Sequence, residues 1–416
     1  MNDMLHSIED ISYAEYLFDK FYNVGDTGTG GVTRLGYTPA EDEMHGIFAA
    51  LGAEEGYVTE TDEVGNTYLS NLPADDSYYL IGSHLDSVIE GGRYDGVAGV
   101  IAGLMILHWL KPSGLHIPVK VVALRCEESS NFGRSTIGSG LITNEIYKHD
   151  VGEAIGKDGR TLSEIFAERG YSLQPKRIRG VRQYLELHIE QGKVLEEYGD
   201  RIGIVTTVAG PRRFNLHIIG QAEHSGATPM DMRKDALCAA AEIILEIEAI
   251  GKEESIYSSV ATVGVVQNTP NALNVIPGEV TLGVDMRGIK SDSLDRMETR
   301  MKNASKRICQ KRGLTFFKEQ LSSIPPIDMN QDMQEKLCRV AKDLKIQFRQ
   351  MSSGAGHDAM SFAAICDAGL VFIPCDKGVS HSKHEFATIE SICDGSRVIY
   401  EYLKSEYARQ QNPSGK

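Results

Sequence analysis

An apolar run, Tyr79-Leu80-Ile81-Gly82-Ser83, ends in a histidine and an aspartate one residue apart, His84 and Asp86. Asp95 follows inside the glycine-rich stretch Gly91-Gly92-Arg93-Tyr94-Asp95-Gly96. Residues alternate faces along a strand, so His84 and Asp86 project the same way, and one can bind a cation while the other fixes the ring. A carboxylate arriving from a flexible loop, as Asp95 does, can bridge two ions. The stretch reads as half of a two-metal site, and it calls for further ligands downstream.

At 416 residues the chain is too long for one small core, so two domains are expected. With 43 basic against 58 acidic residues the net charge is −15, which argues against nucleic acid or an anionic membrane as the main partner. Met1 to Tyr22 has neither a basic start nor an apolar core, so no signal peptide is expected. The longest apolar stretch, Val97 to Leu110, falls short of the roughly 20 residues a membrane span needs and contains His108; it reads as a buried helix. The cysteines, at 126, 238, 309, 338, 366, 375 and 393, form no CxxC pair and are odd in number. That usage fits a reduced, cytoplasmic setting rather than a disulfide framework. Cys126, beside Glu127, reads as a small filler on a buried strand rather than as a nucleophile.

Strand-like and helix-like segments alternate in the first half: Tyr78–Ser83, Val97–Leu110, Pro118–Leu124 and Tyr184–Ile189. The order predicts an α/β sheet with helices packed on it. From Arg213 a β-α-β-β-α-β pattern follows: 213–220, 234–250, 260–266, 279–286, 292–311 and a strand ending near Phe317. This reads as a smaller inserted α+β domain. Pro325-Pro326 marks the return path, after which helix 333–344, the turn 354–357, strand 370–374 and a final helix from Ile389 rejoin the first domain. The expected boundaries are 1–210 with 326–416 for a mixed-sheet catalytic domain, and 211–325 for the insertion.

The further ligands lie at strand ends, where ligands of open α/β sheets collect. Glu127 and Glu128 follow the strand 119–124; neighbours on an extended segment point apart, so one can hold a metal while the other addresses a water. His188 and Glu190 share a face in Leu185-Glu186-Leu187-His188-Ile189-Glu190-Gln191-Gly192. Three consecutive strands ending in His, Asp or Glu are hard to explain as packing, because buried unpaired carboxylates are costly. Gly378-Val379-Ser380-His381-Ser382-Lys383-His384-Glu385 offers a last contribution, and on composition alone either histidine could serve.

These segments occur in order with Ser225-Gly226-Ala227-Thr228-Pro229-Met230, Pro270-Asn271-Ala272-Leu273-Asn274-Val275-Ile276-Pro277-Gly278 and Ser353-Gly354-Ala355-Gly356-His357-Asp358-Ala359. Together they resemble the hydantoinase/carbamoylase family amidases: N-carbamoyl-L-amino acid hydrolases, β-ureidopropionases and allantoate amidohydrolases, within the di-zinc aminoacylase-like peptidase clan. The histidine of His188-Ile189-Glu190-Gln191-Gly192 stands where dipeptidases of the clan tend to carry aspartate, which favours the amidase branch.

The resemblance implies two divalent ions, zinc or else manganese, cobalt or nickel, with His84, Asp95 and His188 on one and Asp95, Glu128 and His381 on the other. His381 is preferred over His384 because it follows Gly-Val-Ser, as in the family's G-x-S-H-x-x-x-E pattern. Asp86 orients His84, and Glu127 is the general base. The ions share a water, lower its pKa and polarise an amide or carbamoyl carbonyl, and Glu127 passes the proton to the leaving nitrogen. His224 is implied to stabilise the oxyanion. Asn274 and Arg287 grip the substrate, Arg287 by its carboxylate; Gln191 faces the ureido group, and Gly354, Gly356 and His357 form a turn lining the pocket. The inserted domain is the implied lid and homodimer interface.

The chain departs from the common pattern at Ser129 after the glutamate pair, at Glu223 before His224 and at Lys383-His384 after His381. None removes an implied ligand or the base. The leading expectation is a carbamoylase acting on an N-carbamoyl amino acid or related ureido acid. An allantoate or ureidoglycolate-type amidohydrolase, a dipeptidase or aminoacylase of the clan, and a non-catalytic binding protein stand as alternatives.

Overall fold

The computed structural model describes residues 6–71, 77–144 and 151–411. The stretch read as a buried helix, Val97–Leu110, lies within the helix Val97–Ser113, which is apolar on nearly every side and shielded from water along most of its length. A helix without a polar face needs cover all round. The central sheet covers one side of it, and the helices Ile8–Tyr22 and Ile389–Gln411 pack on it as well. Its two glycines set the distance: a Cβ on Gly99 would come within 2.3 Å of the Leu187 carbonyl, and one on Gly103 within 2.4 Å of Val121. Gly114, at φ +69°, ends the helix in the left-handed conformation that glycine adopts without steric cost.

The chain divides into two compact units, one running to Thr206 and resuming at Asp328, the other Thr207–Ile327. The first is built on a mixed nine-stranded sheet, ordered Val58–Thr61, Thr67–Ser70, Val119–Leu124, Tyr78–His84, Val181–Ile189, Asp367–Ile373, Ile202–Val208 and Ile327–Asp328, with Phe348–Ser353 also paired to Ile202–Val208. Its four central strands run parallel, and their near-continuous burial follows from cover on both faces. Helices Ile8–Tyr22 and Pro39–Glu54 and the hairpin Val58–Ser70 precede the first segment expected from the sequence. The Ile8–Tyr22 helix opens with a capping box between Ser7 and Asp10.

The second unit carries a four-stranded antiparallel sheet, ordered Thr315–Ser323, Gly210–Ile219, Glu279–Gly288 and Val260–Thr269. Burial alternates strictly along Glu279–Gly288, and the buried face packs on helices Ala236–Glu254 and Ser291–Arg312 through Phe214, Leu216, Ile218, Leu282, Ile243 and Met297. No helix among the described residues is long and apolar enough to cross a membrane.

Candidate metal centre

Parallel strands bring the chemistry to one edge of the large sheet. His84 pairs opposite Leu124, so the turn after Leu124 carries Glu127 and Glu128 to the end of the strand that His84 closes. Val181–Ile189 runs parallel on the other side and delivers His188. Cys126 was expected on a strand, but the strand stops at Leu124 and Cys126 turns the chain at φ +53°. Its N–H is held by Oε1 of buried Glu41 at 2.8 Å, whose other oxygen takes Arg125 at 2.8 Å and the Tyr37 N–H at 2.6 Å. The next two N–H groups, of Glu127 and Glu128, go to the two oxygens of Asp86 at 2.9 and 3.0 Å.

The histidine tautomers follow from their neighbours. His84 Nδ1 lies 3.1 Å from the Asp86 carbonyl and 3.3 Å from its carboxylate; His188 Nδ1 lies 2.9 Å from the Ile189 carbonyl. A carbonyl oxygen only accepts, so each Nδ1 carries the hydrogen and each Nε2 is left as a lone pair. Those Nε2 atoms stand 3.4 and 3.0 Å from Oδ1 of Asp95. That oxygen is buried and has no hydrogen-bond partner among the described residues. Two lone pairs and a carboxylate oxygen converging on one point fit a cation, whose charge satisfies all three at once.

Asp95 Oδ2 faces a second group. His381 Nε2 is 3.4 Å from it and 3.0 Å from Oε1 of Glu128, while Gln191 donates its amide to Asp95 Oδ2 at 2.7 Å. Ligand atoms of His84, Asp95 and His188, and separately of Asp95, Glu128 and His381, fall within 4.8 Å of one another, so Asp95 belongs to both groups. Gln191 and His381 both sit at positive φ, 58° and 54°, a strained backbone that persists only where surroundings impose it.

The field here asks for positive charge. Burial works against the imidazolium form, yet Asp86 and Asp95 hold His84 well above the usual imidazole range, and Asp95 with Glu128 pushes His381 up to about 11. Asp95 is held well below the carboxylate range against its own burial, chiefly by His188. Glu127 moves the opposite way, raised by burial and by Glu128, Asp358 and Asp86 against the pull of His84.

His357 is buried with its ring edge-on to His188 at 4.5 Å, and Ser353 bonds its Nε2 at 2.9 Å. Burial and the neighbouring His188 keep it neutral. Gly356 borders the same turn, where a Cβ would meet Met360 Sδ at 3.7 Å, an ordinary contact. His384 is exposed and outside both groups. Glu190, on the face of His188, caps the short helix Val194–Tyr198 by accepting the Val194 and Leu195 N–H groups at 2.7 and 2.8 Å.

His224, Asn274 and Arg287 belong to the second unit. Glu223–His224 pairs with Val275–Ile276, which places Asn274 beside His224, and the Ser225 N–H bonds the Asn274 carbonyl at 3.0 Å. His224 Nδ1 accepts the Gly226 and Ala227 N–H groups at 3.1 and 3.2 Å, so its hydrogen sits on Nε2 of an exposed ring, ready to donate. Arg287 gives Nε and Nη2 to Oδ2 of Asp285 at 3.1 and 3.0 Å.

Sequence reasoning passed over the acids behind the histidines. Glu186 is fully buried, taking the Ser83 hydroxyl and the Ala359 N–H at 2.8 Å each; its i, i+2 relation to His188 is the signal that could have found it. Asp358, bonded by Ser139 at 2.5 Å, is pushed up to about 8 by burial and by Glu186. Glu385, the last residue of the Gly378–Glu385 segment, accepts the Tyr94 and Asp95 N–H groups at 3.0 Å each.

Residues 80–405 match the family described as peptidase family M20/M25/M40. An N-carbamoyl-L-amino acid amidohydrolase of Geobacillus stearothermophilus is 34% identical over 400 residues, spanning 93% of this chain and 97% of its own length. An allantoate amidohydrolase of Bacillus subtilis (strain 168) is 33% identical over 386 residues, 91% and 93% of the two chains. Among solved structures, an amidase of the hydantoinase/carbamoylase family from Burkholderia multivorans is similar with a TM-score of 0.86 at 32% identity, over 95% of this chain and 97% of that one.

Proposed function

The chain belongs to peptidase family M20/M25/M40, as an amidohydrolase of linear C–N bonds, and we propose that its substrate is an N-carbamoyl amino acid or a closely related ureido acid. The observation that carries the metal reading is Asp95, one oxygen facing the free Nε2 atoms of His84 and His188, the other facing His381 beside Glu128. On this reading His84, Asp95 and His188 hold one divalent cation, and Asp95, Glu128 and His381 a second. The nitrogen and carboxylate donors suit zinc, with manganese, cobalt and nickel also compatible. When bound, such a pair lowers the pKa of a shared water and polarises the scissile carbonyl.

The protein's own residues do the rest. Glu127, fixed by its N–H on Asp86, takes a proton from the attacking water and returns it to the leaving nitrogen. Water adds to the carbonyl, the C–N bond breaks, and the carbamate formed beside the amine decomposes to ammonia and carbon dioxide. His224 donates Nε2–H to the developing oxyanion. Arg287 offers a bidentate grip on the substrate carboxylate, and Asp285 keeps its guanidinium oriented. Asn274 and Gln191 bind the ureido or amide group, and Gly356 with His357 lines the pocket.

We assign the second unit to a homodimer interface as well. Its edge strand Val260–Thr269 leaves Val260, Val265 and Val266 exposed, an apolar edge of the kind proteins pair or cover. Seven free cysteines support a cytoplasmic setting.

An allantoate or ureidoglycolate-type reaction is the second reading, favoured by identities of 34% and 33% that do not separate the carbamoylase from the allantoate relative. Ammonia release should be assayed with zinc, manganese or cobalt on N-carbamoyl-L-amino acids, a β-ureido acid, allantoate and ureidoglycolate, beside N-acyl amino acids and dipeptides. Turnover confined to dipeptides or N-acyl amino acids would sink the ureido reading.

A further inference from the structure

Glu385 lies in sequence far from Asp95, yet its carboxylate joins two of the three segments that supply the second ligand group, those of Asp95 and His381. Oε1 accepts the backbone N–H groups of Tyr94 and Asp95 at 3.0 Å each. Oε2 accepts the Ser380 hydroxyl at 2.9 Å and the His381 N–H at 3.3 Å. A carboxylate has about four acceptor positions, and these four donors fill them. Ser380 adds a cross-tie, since its oxygen also lies 3.1 Å from Oδ2 of Asp95. The Gly91-Gly92 turn is shaped around the same group: a Cβ on Gly92 would fall 2.1 Å from Oε1 of Glu385.

What is tied matters. One loop carries Asp95, shared by both ligand groups; the other carries His381, the half-exposed ligand atom of the second group, held at φ +54°. Asp95 also faces His84 and His188, which stand on strand ends of the large sheet. His381 has no such strand beneath it, and its backbone N–H goes to Glu385.

We propose that Glu385 is the positioning residue of the second cation site, setting the separation between Asp95 and His381 by clamping both loops. The proposal rests on the reading of Asp95, Glu128 and His381 as ligands. Glu385 touches neither substrate nor cation; it acts through the backbone of two ligands. Glu385→Gln leaves one carbonyl oxygen to accept one pair of donors and turns an NH2 toward the other pair. Two donors then face each other at one loop, while His84 and His188 keep their own supports.

The test is a Co2+ titration of metal-depleted full-length protein, followed by calorimetry and by the visible absorption of bound cobalt. Wild type should bind two ions per chain. In Glu385→Gln the weaker binding step should fall by about 10- to 100-fold, the range for lost partners of metal ligands, with the tighter step within about threefold and the cobalt spectrum altered only in the second half of the titration. Ser380→Ala, which removes the cross-tie and one of the four donors but leaves the three backbone N–H bonds to Glu385, should weaken the same step by a smaller factor and serves as the readout if Glu385→Gln does not fold. Two ions bound by wild type with unchanged affinities in a folded variant overturn the clamp alone, as does an equal loss at both steps. Fewer than two ions bound by wild type overturn the ligand reading, and the clamp with it.

Discussion

Oδ1 of Asp86 accepts the backbone N–H of Glu127 at 2.9 Å. The same oxygen stands 3.3 Å from Nδ1 of His84, and Oδ2 takes the Glu128 N–H at 3.0 Å. One fully buried carboxylate therefore orients His84 and Glu128, both proposed ligands, and the proposed base Glu127. Asp86→Asn keeps the shape but presents an NH2 to one of these donors, leaving a buried group unpaired at a cost of about 1–3 kcal/mol. We expect metal affinity or activity to fall by about 10- to 100-fold. Titration of metal alongside steady-state kinetics checks this; wild-type values for both contradict it.

Glu127 separates chemistry from binding. Glu127→Gln preserves volume and the backbone bond to Asp86 but cannot take up a proton, so kcat should fall by about 10²- to 10⁴-fold, the usual contribution of a general base. Elemental analysis should find the metal content of wild type, because Glu127 stands in neither ligand group. A folded variant with full turnover would falsify its role.

Removal of metal should abolish ammonia release, and zinc, manganese or cobalt should restore it. A cation held by the folded chain and not by the unfolded one stabilises the fold, so the loaded protein should also melt several degrees higher; a ligand at 100 times its Kd adds about 2.7 kcal/mol. Undiminished turnover after exhaustive chelation and buffer exchange rules out the two-cation reading.

How much of this was legible depended on whether geometry lay close in sequence. The His84 strand, the 97–113 helix and the β-α-β-β-α-β order showed themselves through apolar runs and periodicity. The two N-terminal helices did not stand out: Pro39–Glu54 mixes acids with apolar residues, and one of those acids, Glu41, is fully buried to hold Cys126. Glu186 and Asp358 were hidden for the same reason, since a buried acid reads as a surface residue until its partners are seen. Asp86 looked like a partner for His84 alone; its grip on Glu127 and Glu128 spans two strands that no spacing rule links. Resemblance to a family supplied roles for His224, Asn274 and Arg287, and the hydrogen bonds around them add tautomer and orientation rather than the roles themselves.

The second unit makes a separate prediction about acid. Glu298, on helix Ser291–Arg312, lies 2.6 Å from both Lys302 and Lys318, with Arg212 at 3.3 Å. Burial by itself raises a carboxyl pKa, but the hydrogen bonds and charge of the two lysines dominate together and bring it down to about 2, below the usual 4.5. A depressed carboxyl pKa stabilises the fold above the unfolded value and loses that contribution as pH falls toward the folded one. Glu298→Gln should therefore be less stable than wild type at pH 7, by about 2 kcal/mol once partial exposure is allowed for. The gap should begin to narrow near pH 4.5 and close toward pH 2. Denaturant midpoints of the two proteins measured across this range decide it: a gap independent of pH assigns the difference to packing instead of charge.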